Sequence, residues 1–476
     1  MTDTLTVLVS RPPESAENLT GSRFAPPNNE RNGIRDSSQE QIGAEYYPRE
    51  TELFRAPTLS PSEEGIELEL RQFSTAMSFP EGGRKAWLVV FSSFCLIAAT
   101  FGLTASIGLF QSHWQSHQLS NYSSQDIAWI SSTQVFLTLF LGVQIGPLFD
   151  RYGPRYLTFA GSVGCVCYLL LLGQCTKYWQ FLLCFGVLGG TSGAILTTVA
   201  LSVISHWFKA RRGLATGITF TGTSLGGIVF PLALRSILSH MSWAWSMRLL
   251  ALFVFILVLF GNLFVRGRLP TQKQGGVINL RSFRDARFVW TTAGISCFEF
   301  VLFTAIGLLP TYALDQGFGR ETSFNVIAIM NAGSGLGRYT AGLVADHYGR
   351  FNSMTVSILI SIFATLALWL PANSNIAIFY TMVPIFGFGS GSVMSLAPVC
   401  IGELCKVSEY GQRYGTSYSV TFRTLISIPI AAQLQAAAGT TAFVAFCGGM
   451  LVLALLSFIM ARWACLDYKW QAKVKI

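Results

Sequence analysis

From Ala86 onward the chain alternates long apolar runs with short polar breaks, and the runs have the length of membrane-crossing helices. Twelve such stretches fall at about 86–110, 127–149, 156–175, 178–204, 213–238, 245–265, 288–312, 323–345, 353–370, 376–400, 415–435 and 441–464. Each lies near the roughly 20 residues that a helix needs to span a bilayer core at about 1.5 Å per residue. Lipid offers no partner for backbone N–H and C=O groups, so a spanning segment of this kind satisfies them internally as an α-helix. Only Thr176 and Lys177 separate the third and fourth stretches, which predicts a tight antiparallel hairpin. The longest break, Arg266 to Arg287, lies between the sixth and seventh. The pattern predicts an all-α membrane protein of twelve transmembrane helices in two pseudo-symmetric six-helix halves, residues 81–266 and 288–476, joined by a cytoplasmic linker at 267–287.

Residues 1–80 carry no such pattern. They are rich in Pro, Ser, Asn, Glu and Arg, and cannot bury enough apolar surface to offset the entropy of ordering, so they are expected to form a disordered cytoplasmic tail. With the first apolar run starting at Ala86, no cleavable signal peptide is expected and the first span serves as the insertion signal.

Composition supports the same class. Only 12% of residues are charged against 51% hydrophobic, too few charges to cover a soluble core of this size. The net charge of +9 divides unevenly: 7 basic and 13 acidic side chains up to Pro80, and 26 and 11 beyond it. The excess Lys and Arg fall at the ends of apolar spans. Twenty lie in the even-numbered connections and the two termini, against four in the odd-numbered connections. By the positive-inside rule both termini are cytoplasmic, and a nucleic-acid partner is excluded for want of a basic soluble surface. The plasma membrane is the expected location, with the vacuolar membrane as the alternative. The ten cysteines form neither a CxxC pair nor a Cys/His spacing, so they read as small buried hydrophobes; no metal or other cofactor is expected. His113 and His117, four apart, lack a third ligand and read as an exposed helix end.

One short phrase occurs twice. Gly146–Arg155 reads GPLFDRYGPR and Gly342–Arg350 reads GLVADHYGR, with Gly146 and Gly342, Asp150 and Asp346, and Gly153 and Gly349 each offset by 196 positions. Each copy ends an apolar stretch at matching depth, as in a duplicated secondary transporter. Asp150, Arg151, Asp346 and Arg350 are therefore conformational gating candidates. An aspartate at such a turn can cap the following helix or pair with arginine across the two halves.

This repeated turn resembles the loop motif of the major facilitator superfamily, and the resemblance runs from Glu81 to the C-terminus. Two further phrases, PEGGRKAW (Pro80–Trp87) and HWFKARRGLATGITFTGTSLGG (His206–Gly227), are similar to the fungal branch of the monocarboxylate-transporter family. Gly213, Gly217, Gly222, Gly226 and Gly227 of the second phrase give the fifth span a smooth face for close helix packing. In animal members of that family, substrate recognition is attributed to a lysine in helix one and an Asp-x-x-x-Arg pair in helix eight. The resemblance places Arg338 at that arginine, Ser334 at the aspartate and Ala105 at the lysine. It implies the major facilitator fold and transport rather than enzymatic activity; the missing lysine-aspartate pair and the 37 phenylalanines point to a solute bulkier than lactate.

Three ionisable residues lie near the middle of their spans: Glu299, Arg338 and Arg423. Each costs at least ~2.5–3.5 kcal/mol at a helix centre unless paired or wet, so each is expected to face a cavity. Arg338 and Arg423, with the polar Asn331 and Gln134, are the substrate-binding candidates. Glu299 either neutralises an arginine or carries a coupling proton. The expected function is secondary transport of a small anionic or oxygen-rich metabolite, possible directions being export of a pathway product or import of a monocarboxylate or vitamin-like nutrient. A nutrient sensor of transporter shape is the alternative from another class. The expected partners are the small-molecule substrate, protons and the lipid bilayer.

Overall fold

The computed structural model describes residues 79–268, 280–318, 320–372, 375–405, 409–420 and 427–469. Residues 1–78 of the expected tail, most of the expected linker at 267–287, and Arg423 lie outside the described residues.

No strand occurs among the described residues. The helices are α1 (Gly83–Ser116), α2 (Ser124–Phe140 continued by Gly142–Tyr152), α3 (Pro154–Leu172), α4 (Tyr178–Ser205), α5 (Arg212–His240) and α6 (Trp243–Phe264). They continue as α7 (Ala286–Asp315), α8 (Arg320–Tyr348), α9 (Arg350–Ala372), α10 (Ile376–Glu403), α11 (Tyr410–Val420) and α12 (Ser427–Cys465). Among the described residues, nine helices are long and apolar enough to cross a membrane, and the two parts of α2, bent by 40°, make a tenth. Of the stretch expected at 415–435, residues 415–420 belong to α11 and 427–435 to the part of α12 before Gly439, whose φ of 85° turns the chain; residues 421–426 lie outside the described residues. Gly173 to Lys177 form the hairpin between α3 and α4.

Two aromatic clusters fill the ends of the bundle remote from the repeated turns. Trp114 packs on Phe181 and Phe185, with centroids 5.1 and 5.3 Å away, and Trp369 packs on Tyr312 and Phe443 at 5.7 and 5.8 Å. The first cluster draws on α1 and α4, the second on α7, α9 and α12. Each is confined to one set of six helices. The two sets meet along other lines: α5 lies against α8, and the second part of α2 against α11.

Candidate functional site

The glycines and aspartates of the two copies of the repeated phrase are placed alike. Gly153 (φ 75°) and Gly349 (φ 98°) end α2 and α8 in the left-handed region open to glycine, and the next residue starts the following helix. The earlier glycine of each copy admits a backbone from the other set of helices. A Cβ on Gly146 would collide with the carbonyl of Gly411, and one on Gly342 with the carbonyl of Gly213.

The aspartates cross the same boundary. Asp346 accepts the Gly213 amide on Oδ1 at 2.9 Å and the Leu214 amide on Oδ2 at 2.8 Å, capping the N-terminus of α5. The Asp150 carboxylate accepts the Gln412 amide at the start of α11. Both therefore meet the unpaired N–H groups and positive dipole end of a helix from the opposite set. The sequence suggested a cap on the following helix or an arginine partner. Each aspartate instead leaves its own last turn sideways, three residues before the turning glycine, toward the helix packed there. Arg350 donates to the Glu403 carboxylate and to the Lys209 carbonyl, joining α9, α10 and the α4–α5 loop. Arg151 is exposed, its guanidinium 5.2 Å from the Tyr152 ring.

Between these turns and mid-membrane, α5 and α8 form a close seam. A Cβ on Gly217 would collide with the Arg338 carbonyl, and one on Gly227 would stand 2.9 Å from the Asn331 amide. Gly222 and Gly226 face α1 instead, against Phe94 and Gly102, so the glycines expected to form one smooth face serve two helices.

Arg338 is buried in this seam. Its Nη1 donates to the Phe220 carbonyl at 2.9 Å and to Ser224 Oγ at 2.7 Å, and its guanidinium carbon lies 5.9 Å from the Phe220 ring centre. The Nε is buried without a hydrogen-bond partner among the described residues. A buried cation near the middle of its helix is thus held by neutral acceptors, one of them a backbone carbonyl, and one of its donors has no partner among the described residues. Asn331, two turns away on α8, borders the same seam. Ser334, one turn before Arg338 on α8, packs on α10, where Gly391 closes against its backbone and hydroxyl.

The other candidates lie apart. Glu299 is buried on α7 with the Tyr418 hydroxyl as its interacting group, and forms no ion pair among the described residues. Tyr418, Tyr414 and Tyr410 follow one another along α11, with ring centroids 4.6 and 5.9 Å apart. Gln134 lines a cavity of about 10 Å³ with Thr100, Thr104, Thr138 and Tyr168, room for about one water. His113 stacks on His117 at 4.2 Å and on Trp243 at 4.7 Å, and no metal-binding cluster occurs among the described residues.

Several participants escaped sequence reading: Phe220, Ser224, Tyr418 and Glu403. The tyrosines were detectable from their i, i+4, i+8 spacing on one helix face. Ser224 was not, since a small polar residue in a spanning helix is most often ordinary helix packing. Glu81 was visible only as part of a phrase. Its carboxylate binds the other phrase, accepting the amides of Lys209, Ala210 and Arg211.

A multi-pass helical membrane protein with paired, pseudo-equivalent turns clasping two helix sets is a secondary transporter in build. The Major Facilitator Superfamily family description matches residues 86–429, and the chain belongs to that superfamily. It is 33% identical over 422 residues to the riboflavin transporter MCH5 of Saccharomyces cerevisiae, covering 83% of this chain and 81% of that protein. It is 35% identical over 356 residues to the aspyridones efflux protein apdF of Emericella nidulans, covering 74% and 72% respectively. Among solved structures it shares the fold of the human organic anion transporter MFSD10 (TETRAN), with a TM-score of 0.66 at 14% identity, over 79% of this chain and 100% of that one.

Proposed function

We propose that this transporter carries a small anionic or oxygen-rich organic solute by alternating access, with residues 81–266 and 288–476 as the rocking bodies. The observation that carries this reading is the bonding of Arg338. Its guanidinium is tied to a neutral carbonyl and a neutral hydroxyl of α5. A carboxylate or enolate reaching Arg338 would make shorter, charge-assisted and bidentate bonds with the same group. Solute binding would then loosen the α5–α8 seam at mid-membrane, where the two bodies must part. Binding energy is thereby connected to the change of state. Asn331, Arg423 and Gln134 are assigned to the solute path, and Glu299 to proton coupling.

The repeated turns act as the gate on the cytoplasmic side. That orientation rests on the Lys/Arg asymmetry of the connections, with both termini cytoplasmic and the plasma membrane as the location. Export of a pathway product is the favoured direction, in line with the relative named as an efflux protein. The relative named as a riboflavin transporter supports nutrient import as the second reading.

The test is flux in proteoliposomes across a panel of labelled organic acids, flavins and aromatic metabolites, with and without a pH gradient. Uptake should favour solutes bearing a carboxylate or an acidic enol, and their methyl esters should be poor. Equal transport of acid and ester would sink the anionic reading. Binding without flux for every solute would favour a sensor.

A further inference from the structure

The loop between α4 and α5 is held by two carboxylates at once. Glu81 accepts the Lys209 and Ala210 amides on Oε1 at 2.8 and 2.7 Å, and the Arg211 amide on Oε2 at 3.0 Å. Asp346 takes the Gly213 and Leu214 amides immediately beyond. The two clasps differ in kind. Glu81 lies two residues before the start of α1, and its own amide donates to the Trp207 carbonyl at 3.2 Å, so this clasp lies within the first set of helices. Trp87 and Phe208, 5.3 Å apart, pack beside it. Asp346 comes from α8, in the other set, and must let go if the two sets separate. Glu81 also has a φ of 51°, the left-handed region that non-glycine residues rarely adopt, followed by Gly82 at 159° and Gly83 at 85°. Backbone held in that conformation is maintained by its surroundings, and such sites gather where a group must be aimed.

We infer that Glu81 is a positioning residue for the gate: it holds the 209–211 turn so that the Gly213 and Leu214 amides stay aimed at the place where Asp346 docks each time the gate closes. The physical reason is continuity. Five amides in a six-residue stretch share one rigid path, so fixing the first three fixes the direction of the last two. A docking site that had to be reordered in every cycle would cost conformational entropy at each closure. The Arg350 bond to the Lys209 carbonyl depends on the same turn. This inference rests on the gating role proposed for Asp346.

The test compares Glu81→Gln, Asp346→Asn and the double variant in proteoliposomes. Each single variant should lower turnover about tenfold at unchanged solute affinity, and the double variant should be no worse than Asp346→Asn alone. Hydrogen exchange supplies a second readout. In Asp346→Asn the 213–214 amides should exchange at least tenfold faster while 209–211 stay protected; in Glu81→Gln all five should loosen. Losses that multiply in the double variant would make Glu81 a stability element only and overturn the inference, as would turnover of Glu81→Gln within twofold of the parent. An unaffected Asp346→Asn would instead remove the gating role itself, and this inference with it.

Discussion

Arg338 and Ser224 are joined across the α5–α8 seam by a 2.7 Å hydrogen bond from guanidinium to hydroxyl. The bond ties a buried mid-membrane cation to a helix of the opposite set, and the second acceptor, the Phe220 carbonyl, lies on that same helix. One side chain is thus a tie between the two sets and a buried positive charge whose bonded acceptors are both neutral.

Arg338→Ala is expected to abolish transport while leaving membrane insertion intact, because deleting the charge removes a desolvation cost. Arg338→Lys should recover little, since an ammonium lacks the planar fork. Ser224→Ala loses a hydrogen bond to a charged group, worth ~1.5–3 kcal/mol, and should move the ratio of the two states by roughly ten- to a hundredfold. Flux and state-selective labelling check this. Normal flux in Arg338→Ala would reduce Arg338 to a packing tie.

Asp150→Asn and Asp346→Asn should slow turnover far more than they weaken solute binding. Each carboxylate meets a helix N-terminus across the two sets, at the turns rather than at mid-membrane. Equilibrium binding measured beside flux separates the two effects; lost binding with an unchanged distribution of states contradicts the assignment.

Glu299→Gln keeps the shape of a buried side chain that forms no ion pair among the described residues. Solute binding should persist while the stimulation of flux by a pH gradient fades. Full stimulation in the variant would assign Glu299 to packing beside Tyr418.

Gly217→Ala should impair closure of the seam, because the added methyl would collide with the Arg338 carbonyl. Gly449→Ala is the control, since a Cβ there has no neighbour within 4 Å. Thermal unfolding and turnover should both suffer in the first variant and hold in the second. Equal effects would mean that the seam is not tightly closed in the working protein.

His206, in the α4–α5 loop, provides a pH prediction. Burial pushes its imidazole down from 6.5 to about 4, and its Nδ1 accepts the Arg268 amide at 3.4 Å. The unfolded chain therefore takes up this proton below about pH 6.5 and the folded one only near 4, so stability falls as pH drops through that window. The full effect is on the order of 3 kcal/mol. His206→Asn, which can accept the same amide without titrating, should flatten the fall in melting temperature between pH 6.5 and 4. An unchanged slope would place the acid sensitivity elsewhere.

The sequence by itself determined the class of this protein and where its helices run. Apolar runs of spanning length can be satisfied only as helices in lipid, and the twice-written turn marks the duplication without any knowledge of packing. It also singled out Arg338, because a charge at mid-span is costly wherever it points. Partners were another matter. Asp346 lies 132 residues from Leu214 and Arg338 lies 114 from Ser224, and no local periodicity links them. Only the packing of α8 against α5 decided that the aspartate caps a helix of the other set, that the arginine is bonded to neutral groups, and that five glycines of α5 face two different helices. Local pattern fixes which segments are helical because each backbone bond closes within four residues. Which helix faces which is decided by close approach between surfaces far apart in the chain, and that is a property of the whole bundle.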